Sequence, residues 1–504
     1  MSTDHPTPQE LEKEARTRLD ELLDRQASLT NRERLQIPAQ PMPSQDPVAR
    51  RRTTSEVALG YGSAQARLEA LRCIKCKNKP CIEGCPVRID IPAFVAAIVQ
   101  SDWAGAIDII KRNSLLPAVC GRVCPQEAQC QAACTLAKVF KDPTLAVSIG
   151  RLERYAADWE REQGVMHPPR VKPETGRRVA VVGSGPASLV VAADVRREGH
   201  AATVFEAFHK FGGVMMYGIP EFRLPKKIVE TEVETLKAMG VKLVPDFVVG
   251  RTRKLHDLLD KDGFDAVFLG TGAGLPRFMN IEGENLVGVF SANEYLTRAN
   301  LMKAYQRDRA ATPIGVSRKV AVFGGGNVAM DAARTAVRLG AEEVHLVYRR
   351  TEKEMPARIE EVEHAKEEGV IFHILQNARR ILGDDRGRVT GIECLRYQLG
   401  EPDSSGRQRP VEIPGSEFEM AVDTVIVAIG NDSNPLIKQS TPELETNRWG
   451  NIVTDDQGRT SLPRVFAGGD IVLGAATVIL AMGEGRRAAA AINQMLVESK
   501  PKTQ

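Results

Sequence analysis

The chain has 504 residues, 42% hydrophobic and 26% charged, with a formal net charge of +3. That length suggests two to four domains of ordinary globular composition. The charge is too small to argue for nucleic acid or an anionic membrane, and no apolar run approaches the roughly 18 residues of a membrane span.

The N-terminus, "MSTDHPTPQELEKEART", is polar and acidic with no apolar signal core, so cytoplasmic localisation with reduced thiols is expected. Residues 1–40 read as an extension. Leu11, Ala15, Leu19 and Leu22 recur at helical spacing opposite a charged face. A surface helix packed on its own protein is expected, with docking to a partner as the alternative. A Pro-rich linker, "IPAQPMPSQDPVARRR", follows. Residues 60–160 have little strand pattern, and "IPAFVAAIVQSDWAGAIDIIKR" and "IGRLERYAADWEREQ" read as amphipathic helices.

This helical module holds eight of the nine cysteines. The ninth, Cys394, reads as a buried core thiol. Cys73, Cys76, Cys81 and Cys85 space as C-x2-C-x4-C-x3-C-P. Cys120, Cys124, Cys130 and Cys134 space as C-x3-C-x5-C-x3-C. Zinc sites usually pair two short knuckles. One short knuckle, longer gaps and a proline after the fourth cysteine fit iron–sulfur clusters better. In two-cluster ferredoxins that fourth cysteine serves the other cluster.

From Arg178 the pattern becomes strand, Gly-rich turn, helix, strand, and it recurs from Lys319. Two doubly wound nucleotide-binding domains are expected. In the first, Gly183 and Gly185 supply the tight turn and the close approach to a pyrophosphate, and Ser188 stands where a third glycine is usual. Glu206 ends the second strand, where a carboxylate suits an unphosphorylated ribose, as in FAD or NAD. In the second, Gly324, Gly325, Gly326 and Asn327 form the turn. Arg349 and Arg350 replace the acid, which suits a 2′-phosphate and therefore NADP(H). The C-terminal "AGGD" turn would add Gly469, Asp470 and the helix starting near Thr477 to a flavin site. "GTGAG" at 270–274 reads as a crossover between the two domains.

The motifs "EVALGY", "RCIKCKNKPCIEGCPVRIDIPAF", "CGRVCP", "GSGPASL", "GGVMMYGIPEFRLPK", "GGGNVAMDAART", "YRRTEKEMPA" and "FAGGD" carry a family resemblance. Over roughly residues 40–495 the chain resembles the small, flavin-containing subunit of NADPH-dependent glutamate synthase. It is similar also to that subunit's relatives: the large subunit of NADH-dependent reduced ferredoxin:NADP oxidoreductase, the alpha subunit of sulfide dehydrogenase and the N-terminal half of dihydropyrimidine dehydrogenase. The resemblance implies a glutathione-reductase-like α/β fold of two nucleotide-binding domains, preceded by an α-helical two-cluster iron–sulfur domain. The implied boundaries are 1–40 for the extension, 41–170 for the iron–sulfur domain, 171–310 with 430–504 for FAD, and 311–429 for NADP(H). Carried onto this sequence, it adds Gly213 and Arg223 to the FAD set and Val328 to the NADP set. It gives one [4Fe-4S] cluster to Cys73, Cys76, Cys81 and Cys134. The other falls to Cys85, Cys124 and Cys130 with Glu153, or alternatively Cys120, as fourth ligand.

The expected activity is NADPH-dependent flavoprotein oxidoreduction, with electrons passing through two clusters to a partner. The chain has no room for a glutaminase domain or an FMN barrel, so a large subunit would perform any glutamate synthesis. A ferredoxin-linked transhydrogenase subunit, bifurcating or not, with a small flavoprotein partner is the second expectation. A non-catalytic redox-sensing or assembly subunit is the third.

Overall fold

"RVAVV" forms the strand Arg178–Val182, buried from its second residue onward, as a strand covered on both faces requires. The computed structural model describes residues 6–164, 168–306, 308–402 and 406–498. Arg178–Val182 is the centre of a five-stranded parallel sheet ordered 465–467, 266–269, 178–182, 201–205, 242–244. Val182 pairs level with Phe205 and Leu269, so the turns that follow these strands share one edge. "KVAVF", the strand Lys319–Phe323, takes the same central place in a second parallel sheet. Its order is 289–291, 424–427, 319–323, 343–348, 371–374. Each central strand leads through a glycine turn into a 12-residue helix, Pro186–Arg197 in the first unit and Asn327–Arg338 in the second. These are the two doubly wound units expected from the sequence.

"GTGAG" leads into Leu275–Pro276, which pairs antiparallel with Asn431–Asp432. This two-stranded ribbon joins the outgoing and returning connections between the units. Strand pairing also shows an antiparallel insert that the sequence reading missed, with strands at 376–383, 389–402, 408–412 and 418–420. Cys394 is fully buried in its core, and burial pushes the thiol up to about 12.

The cysteine module is helical throughout. The N-terminal helix Pro8–Leu23 buries Leu11, Ala15 and Leu19 against the rest of the chain, with Leu22 half-buried beside them. Burial of each leucine contributes roughly 1.5–3 kcal/mol. The Glu12 carboxylate accepts the N–H groups of Ala64 (2.9 Å) and Gln65 (3.1 Å), which open the helix Ser63–Leu71. The extension is therefore packed on its own protein.

Residues 41–62 form a strap to the nucleotide-binding units. The Val57 N–H bonds the Phe222 carbonyl at 2.9 Å. Arg50 is fully buried and its Nε donates to Glu368 at 2.8 Å. Glu368 also takes Arg334 (2.7 Å) and Arg338 (2.6 Å), while Arg334 bonds Glu361. Arg223 joins from the first unit through both oxygens of Asp331, at 2.8 and 2.7 Å. Three parts of the chain thus meet in one buried ion-pair network.

Candidate functional site

The thiols of the helical module fall into two sets of electrostatic neighbours that cross the two sequence runs and meet at Cys81 and Cys130. Cys73 follows the helix Ser63–Leu71, and Cys81 lies in the short helix Pro80–Glu83. Lys75 and Lys79, both at positive φ, turn the chain between them. Cys134 caps the short helix Cys130–Ala133. Burial raises the Cys73 thiol, and the charges of Cys134 and Cys76 raise it further. Burial also pushes Cys81 up to about 12, with Cys73, Cys134 and Cys76 adding to the shift. Cys73 and Cys81 thus share Cys76 and Cys134 as neighbours.

The second group crosses the runs in the opposite sense. Burial pushes Cys85 up to about 11, and the nearby charges of Glu153 and Cys120 add to it. Cys124 is raised by a hydrogen bond with Cys120 and by burial, then by Glu153 and Cys130. Cys130 is raised by burial, then by Cys85, Glu153 and Cys81, the last a member of the first set. Gly121 makes this grouping possible. A Cβ there would lie 2.6 Å from the Arg154 backbone nitrogen, so the helix Pro117–Val123 meets the helix Ile149–Glu162 backbone to backbone. That contact brings Glu153 to the thiols. Glu153 is 6% exposed and its Oε1 has no hydrogen-bond partner. Burial pushes the carboxyl up to about 8. Such an orphaned carboxylate oxygen is what a missing positive ligand leaves behind.

Cys120 lies against Cys124 and has further neighbours in the core. It is fully buried, with Met482 Sδ at 3.6 Å and Ser114 Oγ at 4.0 Å. All eight thiols are free. Among the described residues no three His, Cys, Asp or Glu side chains converge closely enough to hold one metal ion. A polynuclear cluster with thiolate ligands suits a donor set of clustered free thiols with a buried carboxyl.

The first glycine turn lies where the central strand of the first sheet ends. Gly183 has φ +92°, and a Cβ there would lie 2.5 Å from the Gly270 carbonyl oxygen. Space is open in front of Gly185, the N-cap of the helix Pro186–Arg197. Ser188 is fully buried and its Oγ reaches the Gly270 carbonyl at 3.4 Å. It fills the helix–strand contact that a third glycine would leave empty. Glu206 is buried at the end of the neighbouring strand. Its carboxylate accepts from Ser184 Oγ at 2.5 Å and from the Phe208 N–H at 2.9 Å. Gly213 packs against Gly185, 2.8 Å from its Cα as judged from an added Cβ. Gly469 comes equally close to Ala187, which brings Asp470 to the same edge. Burial pushes Asp470 up to about 6, opposed by the Ala476 N–H. Thr477 Oγ1 accepts from Gln129 Nε2 at 3.3 Å, beside Cys130. The helix Val478–Glu498 that follows also reaches Cys120 through Met482, so it spans from the glycine cradle to the thiols. Arg223 is the exception in this set, because its guanidinium faces Asp331 and Glu361 of the second unit.

The second turn repeats the first. Gly324, at φ +144°, lies under the Ala428 carbonyl as Gly183 lies under Gly270. Gly326 caps the helix Asn327–Arg338, and Ala329 is fully buried where Ser188 stands in the first unit. Asn327 Oδ1 accepts the Arg358 N–H at 3.0 Å, and Val328 is 38% exposed at the helix start. The two arginines part company. Arg349 is exposed, whereas Arg350 is buried and its Nε donates to the Gln408 carbonyl at 2.9 Å. The buried ion-pair network and Arg358 were missed by sequence reasoning. Arg358 directly follows the quoted motif "YRRTEKEMPA", which was the only local signal near it.

Comparison with known proteins agrees with this division of the chain. The family described as dihydropyrimidine dehydrogenase domain II, 4Fe-4S cluster, matches residues 50–165. The pyridine nucleotide-disulphide oxidoreductase family matches residues 177–494. The NADPH-Fe(3+) oxidoreductase subunit beta of Geobacter sulfurreducens is 38% identical over 84% of the chain, which spans 64% of that protein's length. The glutamate synthase [NADPH] small chain of Azospirillum brasilense is 36% identical over 90% of the chain and 94% of its own length. The solved structure of FprA from Mycobacterium tuberculosis in complex with NADPH covers 66% of the chain at a TM-score of 0.54 and 19% identity, a likeness of fold.

Proposed function

Because the chain belongs to the glutamate synthase small-chain family, oxidoreductases that carry FAD and [4Fe-4S] clusters, we propose that it passes electrons from NADPH to a partner subunit. The flavin accepts a hydride as two electrons, and the clusters release electrons singly. In this reading Gly183, Gly185, Gly213, Gly469, Asp470 and Thr477 cradle FAD, with Glu206 on its ribose and Ser188 packing the turn from behind. Gly324, Gly326, Asn327 and Val328 receive the NADPH pyrophosphate at a helix N-terminus. Exposed Arg349 takes the 2′-phosphate, and Arg350 supports it from the sheet. Arg223 holds the two units together rather than touching the flavin. The helix Val478–Glu498 brings the flavin cradle beside the second thiol group. Electrons leave by the first group, where Cys73, Cys76 and Cys81 are half-exposed among exposed Lys75, Lys77 and Lys79. A partner with an acidic surface suits that rim. No helix among the described residues is long and apolar enough to cross a membrane. The free thiols suit a reducing cytoplasm.

The observation that supports this reading is the buried Glu153 oxygen without a hydrogen-bond partner, with the Cys85, Cys124 and Cys130 thiols as its electrostatic neighbours. Cys73, Cys76, Cys81 and Cys134 hold one cluster, and Cys85, Cys124, Cys130 and Glu153 hold the other. A carboxylate is harder than a thiolate and should set the second cluster's potential apart. Alanine at Glu153 is expected to remove one of the two cluster signals and half the iron, and alanine at Cys120 to spare both. Loss of a cluster from the Cys120 variant, with the Glu153 variant intact, would reverse the assignment.

A further inference from the structure

Arg34 lies on the short helix Asn31–Leu35 of the N-terminal extension and is 5% exposed. Its guanidinium donates to four backbone carbonyls: Leu71 at 2.7 Å, Gln26 at 3.2 Å, Leu29 at 3.3 Å and Cys73 at 3.4 Å. Among the described residues no carboxylate forms an ion pair with it, and its bonds to the Leu71 and Cys73 carbonyls place it at the first thiol of the first run. Arg72, equally buried nearby, is different. It has Glu69 at 2.6 Å as its counter-ion. A guanidinium cannot shed its proton to escape burial. A buried cation without a counter-charge is strongly destabilising. The carbonyls satisfy its N–H groups without neutralising its charge, and the nearest group of metal-ligand type is Cys73.

We infer that Arg34 is the counter-charge of the cluster held by Cys73, Cys76, Cys81 and Cys134, and that it holds that cluster's reduction potential up. The inference rests on the ligand grouping proposed above. Four thiolates make the site anionic, and reduction adds one electron from the flavin side and no proton at Arg34. A fixed positive charge in a low-dielectric setting favours the more negative state. Net charge near a cluster is one of the protein's means of setting its potential. The same guanidinium pins the Leu71 and Cys73 carbonyls, which fixes the entry to the turn at Lys75. Arg34 is thus a positioning and tuning residue, and it makes the extension part of the redox machinery.

The test is an EPR-monitored redox titration of the full chain with both clusters loaded. Arg34→Met keeps the length and removes the charge. At a fixed poise its first cluster should be reduced about tenfold less, the equivalent of 59 mV for one electron. The second cluster should change by less than about twofold, since Arg34 bonds the chain at Leu71 and Cys73, beside the first set. Arg34→Lys, which keeps the charge, should stay within about twofold of the parent. Gln26→Glu leaves Arg34 in place and supplies a carboxylate at a residue whose carbonyl already accepts from it. It should lower the first cluster in the same direction, and it decides the matter if Arg34→Met does not fold. Unchanged potentials in Arg34→Met and Gln26→Glu overturn the inference, and so does an equal shift of both clusters. Cys134→Ser reports on the grouping separately. A first-cluster signal that survives there overturns the ligand set. A signal lost there, beside an unshifted Arg34→Met, overturns only the role of Arg34.

Discussion

An Arg349→Ser variant is expected to lose about 100-fold in kcat/KM with NADPH, because a charge-assisted hydrogen bond contributes roughly 1.5–3 kcal/mol and each 1.4 kcal/mol is a factor of ten. NADH has no 2′-phosphate for the guanidinium, so its kcat/KM should change by less than about threefold. The loss should appear chiefly in KM, since the phosphate is held alike before and during hydride transfer. Arg350 should behave differently. It is buried and bonded to the Gln408 carbonyl, so its replacement should disturb the sheet edge and affect both nucleotides together. Steady-state kinetics with both nucleotides on both variants check this. Equal losses with NADPH and NADH in Arg349→Ser would mean that the exposed arginine does not read the phosphate.

Glu368→Gln should destabilise the protein by about 3–5 kcal/mol, the cost of removing one partner from a buried ion pair. Glu368 is fully buried and takes Arg50, Arg334 and Arg338. Amide replacement leaves those guanidinium groups short of counter-charge at a junction where the strap and the second unit meet. Urea denaturation followed by tryptophan fluorescence measures the shift. The pH dependence has a definite sign. Burial alone would raise Glu368, but hydrogen bonds from Arg338 and Arg334 outweigh it and hold the carboxyl well below its usual range. Burial likewise opposes, and Arg223 and Arg334 outweigh it, at Glu361, which is pulled down to about 2. Their folded values are depressed, so the stabilisation is full above the unfolded carboxylate value of about 4.3. It is lost as pH falls from there through about 2, Glu361's folded value. The gap between parent and variant should narrow over that window. A gap that persists unchanged at low pH would remove the ion-pair explanation.

Features set by neighbouring residues were legible in the sequence. Both glycine turns, the acid at 206 and the arginine pair at 349–350 are local in the chain, and each lies at the edge where its parallel strands end. The tolerance for Ser188 was legible too, since only a small side chain fits against Gly270. The N-terminal helix could be read as a helix from Leu11, Ala15 and Leu19, but its role could not. Arg34 matters because the fold brings it to Leu71 and Cys73, 37 and 39 positions away. Arg50 and Glu368 are separated by 318 positions, and nothing near either marks the other. The difference between Arg349 and Arg350 needed the insert, because the strand Gln408–Glu412 supplies the carbonyl that engages one and leaves the other exposed. That insert escaped notice because its strands are only partly buried and carry many charges, so the apolar alternation that marks a strand is weak.

The most direct test is anaerobic titration of the purified chain with NADPH, beside the same titration with NADH, recording flavin absorbance and cluster EPR on one sample. Bleaching of the flavin followed by one-electron cluster signals, at far lower NADPH than NADH, is the predicted result. A chain that binds no flavin, that responds equally to both nucleotides, or whose flavin bleaches while both clusters stay silent contradicts the account.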